Sequence, residues 1–336
     1  MSNEFRTNLA SKLIEKYDAS ALLIFPQNKD SVKFTSAKTF LGMIINSDGA
    51  KLVAYKLQEE QLEVENKENY EIIYLSNGDI NDILPDGRIL IPSDTPYSLR
   101  KSVKRKVSVA DELFRRVLRK PTDDDLAVIK EGARTLDTCL VEVISMMEIG
   151  MKESEVSSML DSLLIKRGMD GFAYRSIVAS GKRTSCPLAN TTDKEIEKGD
   201  VIIIDTAPVY KGFTLGVGRT ILTEEDAEKI RYLEILNSAA CEALKYARIG
   251  EKAEKMDSAA RDFLAARNID YPHYTAMPLG GFYAPYSYPG SEDILENNSS
   301  FFLTIGIYRK NFGMRLKHQV VISEHAEILD SFAVVK

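Results

Sequence analysis

The 336-residue sequence contains no tryptophan, three histidines and three cysteines. The cysteines (Cys139, Cys186 and Cys241) are odd in number, widely spaced, and form no CxxC pair. This pattern predicts reduced thiols in a reducing compartment rather than a disulfide framework. A mechanism that needs several imidazoles has few residues to draw on, because the only histidines are His273, His318 and His325.

Long apolar runs are also missing. The longest, such as Val201 to Ile204 and Phe332 to Val335, are far shorter than the roughly 20 residues that span a bilayer. The first ten residues carry Glu4 and Arg6 and lack the apolar stretch of a secretory signal, so we expect a cytoplasmic protein without membrane contact. The net charge of -6 argues against a general binder of polyanions.

The chain nevertheless has the composition of a folded protein. Its hydrophobic fraction of 44% and charged fraction of 28% are ordinary globular values. A single hydrophobic core stops growing near roughly 250 to 300 residues, so the length predicts two domains. We place them at residues 1–117 and 118–336.

The first third predicts a small α/β domain. Residues 4–17 have a helical apolar face, and 21–25 form a short buried strand. Residues 40–46 and 51–55 predict a hairpin, because Ser47, Asp48 and Gly49 between them are turn formers. Two further strands are predicted at 71–75 and 88–91.

The strongest charge asymmetry lies at Arg100 to Lys120, a segment that contains nine basic residues and only two acidic ones. We interpret this segment as a solvated connector between the domains, because Phe114 is its only aromatic residue and nucleic-acid binding favours interleaved aromatics. Contact with nucleic acid is the less favoured alternative.

From Pro121 onward the order of elements is helix, helix, strands, and this order occurs twice. Helices are predicted at 122–144 and 153–167 and again at 224–246 and 251–266. Strands are predicted at 176–179, 201–205, 213–222, 301–308, 314–322 and 327–332. The pattern predicts a duplicated α+β unit rather than a parallel βαβ array.

Five segments stand out from Arg119 onward. They are Arg119 to Ala133 (RKPTDDDLAVIKEGA), Ile177 to Gly181 (IVASG), Lys198 to Asp205 (KGDVIIID), Val209 to Phe213 (VYKGF), and Arg219 with Thr220. In their order and spacing, over nearly all of residues 119–336, they resemble the pita-bread metallopeptidase family, which contains Xaa-Pro dipeptidases, Xaa-Pro aminopeptidases, methionine aminopeptidases and creatinase. The resemblance implies an α+β pita-bread domain with a pseudo-two-fold antiparallel sheet, preceded by a smaller creatinase-type α/β domain.

The resemblance also implies a site for two divalent metals, which in this family activate a bridging water. The first metal-binding Asp corresponds to Asp205, in the strand that follows Gly199 and Asp200. The second lies eleven residues further on, at Gly216. Glycine has no side chain that could bind a metal.

The family's histidine segment corresponds to residues 273–280. His273 is retained, but the metal-binding position is Met277, whose soft thioether does not suit the hard ions of such sites. The expected substrate-contacting histidine falls on Ala284, and the upstream active-site histidine falls on Leu188. A creatinase-type mechanism without metal therefore also lacks its base.

The last two metal-binding glutamates are missing as well. One corresponds to Gly306, or is deleted if the alignment follows the final Gly-x-Tyr. The other is replaced by Lys317, beside Arg315, and an ammonium does not bind a cation at neutral pH. Since an unpaired buried carboxylate is costly, we predict that Lys317 takes roughly the metal position and bonds to Asp205.

We therefore expect a catalytically inactive relative of the Xaa-Pro peptidases that binds a peptide, small molecule or protein and needs no cofactor. One alternative is an active metallopeptidase that uses manganese, cobalt or zinc at an atypical site. Another is a metal-free hydrolase that uses Lys317 as acid or base, recognisable by a depressed pKa without a carboxylate partner. A nucleophilic Cys186 is least favoured, because only His273 could activate it. The family also implies a homodimer.

An unusual density of tyrosine and proline occurs between residues 271 and 289. Packing is the simpler interpretation, and a recognition surface is the functional one, because tyrosine combines a large contact area with a polar tip. The aromatic members are Tyr271, Tyr274, Phe282, Tyr283, Tyr286 and Tyr288.

Overall fold

A computed structural model describes residues 2–76, 78–118, 121–279 and 287–331. The chain divides into two compact units, Met1–Asp124 and Asp125–Lys336. Among the described residues, no helix combines the length and apolar character that crossing a bilayer requires.

The first unit contains a mixed six-stranded sheet in the order β4-β3-β2-β1-β5-β6. Its strands are β1 (Ala21–Ile24), β2 (Gly42–Asn46), β3 (Gly49–Tyr55), β4 (Glu71–Leu75), β5 (Arg88–Ile91) and β6 (Lys106–Val109). Its helices are α1 (Ser2–Ile14), α2 (Glu59–Glu65), α3 (Tyr97–Ser102) and α4 (Asp111–Leu118). β2 and β3 form the predicted antiparallel hairpin, whereas β4, β5 and β6 each join a neighbour in parallel. The predicted α/β class of this unit is confirmed.

The basic segment is not a connector, contrary to the prediction. β6 pairs with β5 as an edge strand, and α4 buries Leu113, Phe114 and Val117. The charged side chains between these apolar positions gave the segment its solvated appearance, because an amphipathic helix and an edge strand keep one side in water. Arg119 and Lys120 lie outside the described residues.

The second unit contains an antiparallel sheet with the main strand order β11-β12-β13-β10-β8-β7. Its strands are β7 (Gly171–Ser180), β8 (Val201–Tyr210), β9 (Phe213–Thr214), β10 (Val217–Leu222), β11 (Ala276–Pro278), β12 (Ser300–Tyr308), β13 (Gly313–Ile322) and β14 (Ala326–Ile328). Its helices are α5 (Asp123–Met146), α6 (Glu153–Lys166), α7 (Ala227–Leu244) and α8 (Glu254–Ala265). The single strand predicted over residues 213–222 is divided into β9 and β10, which pair with β8 in the same register. Between them the Leu215 amide donates to the Pro208 carbonyl, but proline has no N–H to return the bond.

The two halves of this unit repeat each other. Each half has a long helix, a shorter helix and an antiparallel strand group, and the halves meet where Gly218 of β10 pairs with Lys317 of β13. The short helices also begin alike, since isolated bridges join Lys152 to Glu195 and Lys252 to Ile294. The duplicated arrangement predicted from the element order is confirmed.

Strand alternation gives this sheet one apolar face and one mixed face. Odd-numbered residues of β12 and most even-numbered residues of β13 belong to an apolar cluster with α7 and α8, while Ile202 and Ile204 of β8 pack with α5 and α6. Full burial of such a side chain contributes roughly 1.5 to 3 kcal/mol. Because successive side chains point to opposite faces, the remaining residues of these strands line the other side.

Candidate functional site

A cavity of about 390 Å³ lies on that other side of the second unit's sheet. We call it the central pocket. It is lined by Tyr174, Ile177, Pro187, Leu188, Asp205, Ala207, Pro272, His273, Tyr274, Met277, Phe302, Thr304, Arg315 and Lys317. Its volume is within the range of roughly 300 to 1,000 Å³ that is typical of ligand sites.

Asp205 is the only carboxylate among these lining residues, and it is 2% exposed. It lies in the middle of β8, where its pairing partner across the sheet is Gly218. One carboxylate oxygen, Oδ2, accepts from Arg315 Nη1 at 2.7 Å, and the other, Oδ1, accepts from Lys317 Nζ. Oδ1 also accepts from the Tyr174 hydroxyl at 2.6 Å. Both oxygens are therefore engaged by cations of the protein itself.

The predicted contact between Lys317 and Asp205 is present, and the strand register explains how it forms. β10 lies between β13 and β8, and Gly218 is the cross-strand neighbour of both residues. A Cβ atom at Gly218 would lie 3.0 Å from the Cβ of Lys317, tighter than ordinary van der Waals contact. The lysine therefore crosses an intervening strand at the position where that strand carries no side chain.

Arg315 supplies the second cation, and each of its three side-chain nitrogens donates a hydrogen bond. Besides Nη1, its Nε donates to the Tyr308 hydroxyl at 3.0 Å, and Nη2 donates to the Pro187 carbonyl. Arg315 and Lys317 face the same side because they are two residues apart in β13. A planar guanidinium suits this triple engagement better than an ammonium would.

His273 and Tyr308 form the outer part of the network. The Nε2 atom of His273 lies 2.6 Å from the Tyr308 hydroxyl. That hydroxyl also accepts from Arg315, and the donor of the bond between His273 and Tyr308 is set by the imidazole tautomer. Burial and the neighbouring Arg315 lower the pKa of His273 to about 4. The imidazole is therefore neutral near pH 7.

Opposing effects act on the buried ion cluster. Burial favours the neutral form of Asp205, but Lys317 and Arg315 outweigh it and hold the pKa of Asp205 below its ordinary value. Burial lowers the pKa of Lys317, although Asp205 opposes this effect. The pKa of Tyr174 is raised by burial and by the Asp205 charge, so its hydroxyl stays protonated. The cluster consists of one carboxylate, two cations and a neutral phenol.

The residues at the remaining metal-binding positions do not fit a metal. Gly216 is buried in the turn before β10, and a Cβ there would lie 3.0 Å from the Phe302 ring. A Cβ at Gly306 would lie 2.5 Å from Nε2 of His273. The space that carboxylate side chains would need is thus held by a phenyl ring and an imidazole. Met277 offers a thioether, and Lys317 a cation.

The described residues offer no alternative set of metal donors either. Among residues 2–76, 78–118, 121–279 and 287–331, no three His, Cys, Asp or Glu side chains lie close enough together to hold a metal ion. Since Asp205, the one carboxylate among the described lining residues, is already paired with two cations, the donor chemistry present disagrees with a two-metal site.

The structure brings together most of the residues singled out from the sequence. Asp205, Met277, Lys317, His273, Arg315 and Leu188 line the central pocket. Gly216 and Gly306 border its lining residues Phe302 and His273 without being lining residues themselves. Leu188 is 83% exposed at the rim, next to the exposed Cys186. Ala284 lies outside the described residues.

Sequence reasoning missed four residues of the site that carry an aromatic ring or a hydroxyl, namely Tyr174, Tyr308, Phe302 and Thr304. The last two could have been found from strand alternation, since Thr304 pairs with Lys317, and Phe302 lies two residues before it. Tyr174 could have been found from the internal repeat, because Tyr274, one hundred positions later, lines the same pocket.

The tyrosine- and proline-rich segment is only partly described. Tyr271 is buried, and its hydroxyl donates to the Thr304 carbonyl, which is a packing role. Tyr274 is 55% exposed, lines the central pocket, and contacts Tyr288 edge to face with the ring centroids 5.9 Å apart. Phe282, Tyr283 and Tyr286 lie outside the described residues.

Comparison with known proteins agrees with this architecture. Xaa-Pro dipeptidase from Pyrococcus furiosus is 26% identical over 333 residues, which cover 94% of this chain and 94% of the relative. The solved prolidase from Pyrococcus horikoshii OT3 has a TM-score of 0.88 at 23% identity, covering 98% of this chain and 99% of that one. X-Pro aminopeptidase from Thermotoga maritima MSB8 has a TM-score of 0.84 at 24% identity, covering 97% and 98%.

These likenesses confirm the predicted pita-bread fold. The family described as metallopeptidase family M24 matches residues 127–324, which is more than half of the chain and includes strands β7 to β13 of the sheet that forms the central pocket. The chain therefore belongs to metallopeptidase family M24.

Proposed function

We propose that this member of the M24 family has lost the metal-dependent hydrolysis of Xaa-Pro peptides and uses the central pocket to bind a ligand. One observation carries the proposal: Asp205, the carboxylate retained at the metal-binding positions, is paired through both oxygens with Lys317 and Arg315. A metal at this position would have to displace two buried cations and would then meet their charge. No cofactor is needed for binding.

The main alternative is an active Xaa-Pro peptidase with an atypical site. It is favoured by the relatives, since a dipeptidase of that specificity matches 94% of the chain. In that case manganese, cobalt or zinc would be the expected metals, and ligands other than those predicted would have to gather around Asp205. Among the described residues, the lining of the pocket contains no second carboxylate, and the partners of Asp205 are two cations and a phenol.

A metal-free hydrolase that uses Lys317 is less favoured. Such a lysine would need a depressed pKa and no carboxylate partner. The pKa of Lys317 is lowered by burial, but its ammonium is bonded to Asp205. Cys186 likewise lacks its only candidate base, because His273 is bonded to Tyr308.

Metal analysis combined with a peptidase assay tests the proposal. Protein purified without chelator is analysed for bound metal and then incubated with Xaa-Pro dipeptides and added manganese, cobalt or zinc. Pyrococcus furiosus Xaa-Pro dipeptidase serves as the positive control. We expect substoichiometric metal and no turnover.

The opposite result has a clear signature. Stoichiometric metal, with turnover that disappears in Asp205→Ala but persists in Asp262→Ala, would show an active metallopeptidase. Asp262 is a suitable matched control because it is exposed on α8.

The proposal extends to the protein's setting. We propose a cytoplasmic homodimer that does not bind nucleic acid, on the basis of the family resemblance, the unpaired cysteines and the net charge of -6. Light scattering of the purified chain measures its mass, and a gel-shift titration with duplex DNA and with RNA tests for nucleic-acid binding. A monomeric mass or a salt-sensitive shift would contradict the respective part.

A further inference from the structure

The polar lining of the central pocket carries an uncompensated positive charge. Lys317 and Arg315 contribute two cations and Asp205 one anion, and His273 is neutral near pH 7. Asp205, Arg315 and Lys317 are at most 8% exposed. Because little solvent screens a buried charge, the excess of one positive charge acts on whatever enters the pocket.

The ion cluster of the central pocket can still donate a hydrogen bond to a ligand, through the Lys317 ammonium. The Lys317 ammonium has three protons and, among the described residues, donates to Asp205 and to the Tyr174 hydroxyl. One N–H therefore remains. Nε2 of His273 is already engaged by the Tyr308 hydroxyl. Both oxygens of Asp205 are already used, so the ion cluster offers a ligand donors and no free carboxylate.

Apart from the hydroxyls of Tyr174, Tyr274 and Thr304, the rest of the lining is apolar. Ile177, Ala207, Met277 and Phe302 contribute hydrocarbon, sulfur and ring surface, and Leu188 stands exposed at the rim. A ligand that was anionic throughout, such as a phosphate ester, would leave this wall unused. A ligand with one small anionic end and an apolar body would use both parts of the pocket.

From this distribution we infer that the central pocket binds a carboxylic acid with an apolar body, with the carboxylate bonded to the free N–H of Lys317 and facing the charge surplus of the Lys317–Asp205–Arg315 cluster. This inference rests on the proposed function, because it requires that no metal occupies the position of the Lys317 ammonium. The carboxylate could belong to a free organic acid or to the C-terminus of a short peptide, and both present the same chemistry.

Three ligands that share a phenylpropyl group and differ only in their terminal polar group test the inference on the unmodified protein. The probes are 3-phenylpropionate, 3-phenylpropan-1-ol and 3-phenylpropylamine, titrated by calorimetry at pH 7 in the presence of a chelator. Charge-assisted hydrogen bonds exceed neutral ones enough to predict that the acid binds roughly tenfold to a hundredfold more tightly than the alcohol, with the amine weakest. Equal affinity for the acid and the alcohol, or no binding of either, would overturn the inference.

Lys317→Met tests the residue assignment, because methionine keeps the apolar stem and removes the ammonium. We expect this variant to lose its preference for the acid while it still binds the alcohol, which a misfolded protein would not do. Lys166→Met removes the same charge from an exposed position at the end of α6 and should keep the preference. An unchanged preference in Lys317→Met would contradict the assignment.

Two further experiments distinguish the source of the carboxylate and show which of the two proposals fails. N-acetylphenylalanine and its C-terminal amide are compared with 3-phenylpropionate: tighter binding of the N-acetyl acid than of both others indicates a peptide C-terminus, whereas tighter binding of 3-phenylpropionate indicates a free acid. Repeating the titration with manganese in place of the chelator distinguishes the two proposals. If the acid binds only with manganese, the proposed function fails; if it binds in neither condition, only the present inference fails.

Discussion

Replacing Asp205 by asparagine should destabilise the protein strongly. The substitution keeps the shape of the side chain but leaves Lys317 and Arg315, which are 8% and 6% exposed, as two buried cations without a counter-ion. Removing one partner of a buried ion pair typically costs about 3 to 5 kcal/mol. We therefore expect Asp205→Asn to lower the free energy of unfolding by about that amount.

The companion substitution should cost far less. Lys317→Met removes one cation and leaves Asp205 paired with Arg315 at 2.7 Å, so no buried charge loses its only partner. Replacing buried ionic groups by apolar ones is often close to neutral. We expect a change of less than about 1 kcal/mol. In the double variant, Asp205→Asn with Lys317→Met, the asparagine no longer faces the ammonium. The double-mutant cycle built from both single variants and the double variant should therefore give a coupling energy of about 2 kcal/mol between the two positions.

Urea denaturation followed by far-ultraviolet circular dichroism measures these differences. Asp262→Asn is the matched control, because this exposed aspartate should change stability by less than about 0.5 kcal/mol. If Asp205→Asn unfolded within about 1 kcal/mol of the unmodified chain, the carboxylate would not be compensating two buried cations, and the reasoning from the ion cluster would be refuted.

Three further predictions concern single positions in the second unit. Gly218→Ala places a Cβ 3.0 Å from that of Lys317, so we expect a loss of about 1 to 3 kcal/mol in urea denaturation and a displaced lysine in a crystal structure; unchanged stability would contradict the crossing. Gly313→Ala places a Cβ 2.1 Å from the Thr184 carbonyl oxygen, so we expect a loss above about 2 kcal/mol, or no soluble protein, and wild-type stability would disprove this close approach. The pKa of His273 is about 4 in the folded chain against an ordinary 6.5, so the unfolded chain takes up the proton first as pH falls, and stability should decrease by about 3 kcal/mol between pH 6.5 and 4. His273→Asn should lack this part of the pH dependence. If the free energy of unfolding of His273→Asn fell as steeply between pH 6.5 and 4 as that of the unmodified chain, the prediction for His273 would be wrong.

The fold was largely predictable because hydrophobic periodicity and turn residues are local signals. The apolar stripe of α5 and the alternation in β12 and β13 appear directly in the sequence and set which side of each element is buried. The basic segment was misinterpreted for the opposite reason. Its short amphipathic helix and edge strand bury few side chains, so charge dominated the pattern.

The site was predictable only where register is fixed. Lys317 and Asp205 lie in regular strands on either side of β10, so their meeting follows from the family resemblance and charge pairing. Arg315 was named as a neighbour but not as a partner of Asp205, although its spacing of two from Lys317 places it on the same face. Tyr174 lies between two register shifts of β7, where the sequence does not state which way a side chain points.

The most direct measurement of the central claim is a crystal structure grown with manganese, with anomalous scattering recorded at the metal's absorption edge. We predict no anomalous peak beside Asp205, with Lys317 Nζ and Arg315 Nη1 bonded to its two oxygens. One or two manganese ions bound to Asp205, with the Lys317 side chain turned away, would contradict the account.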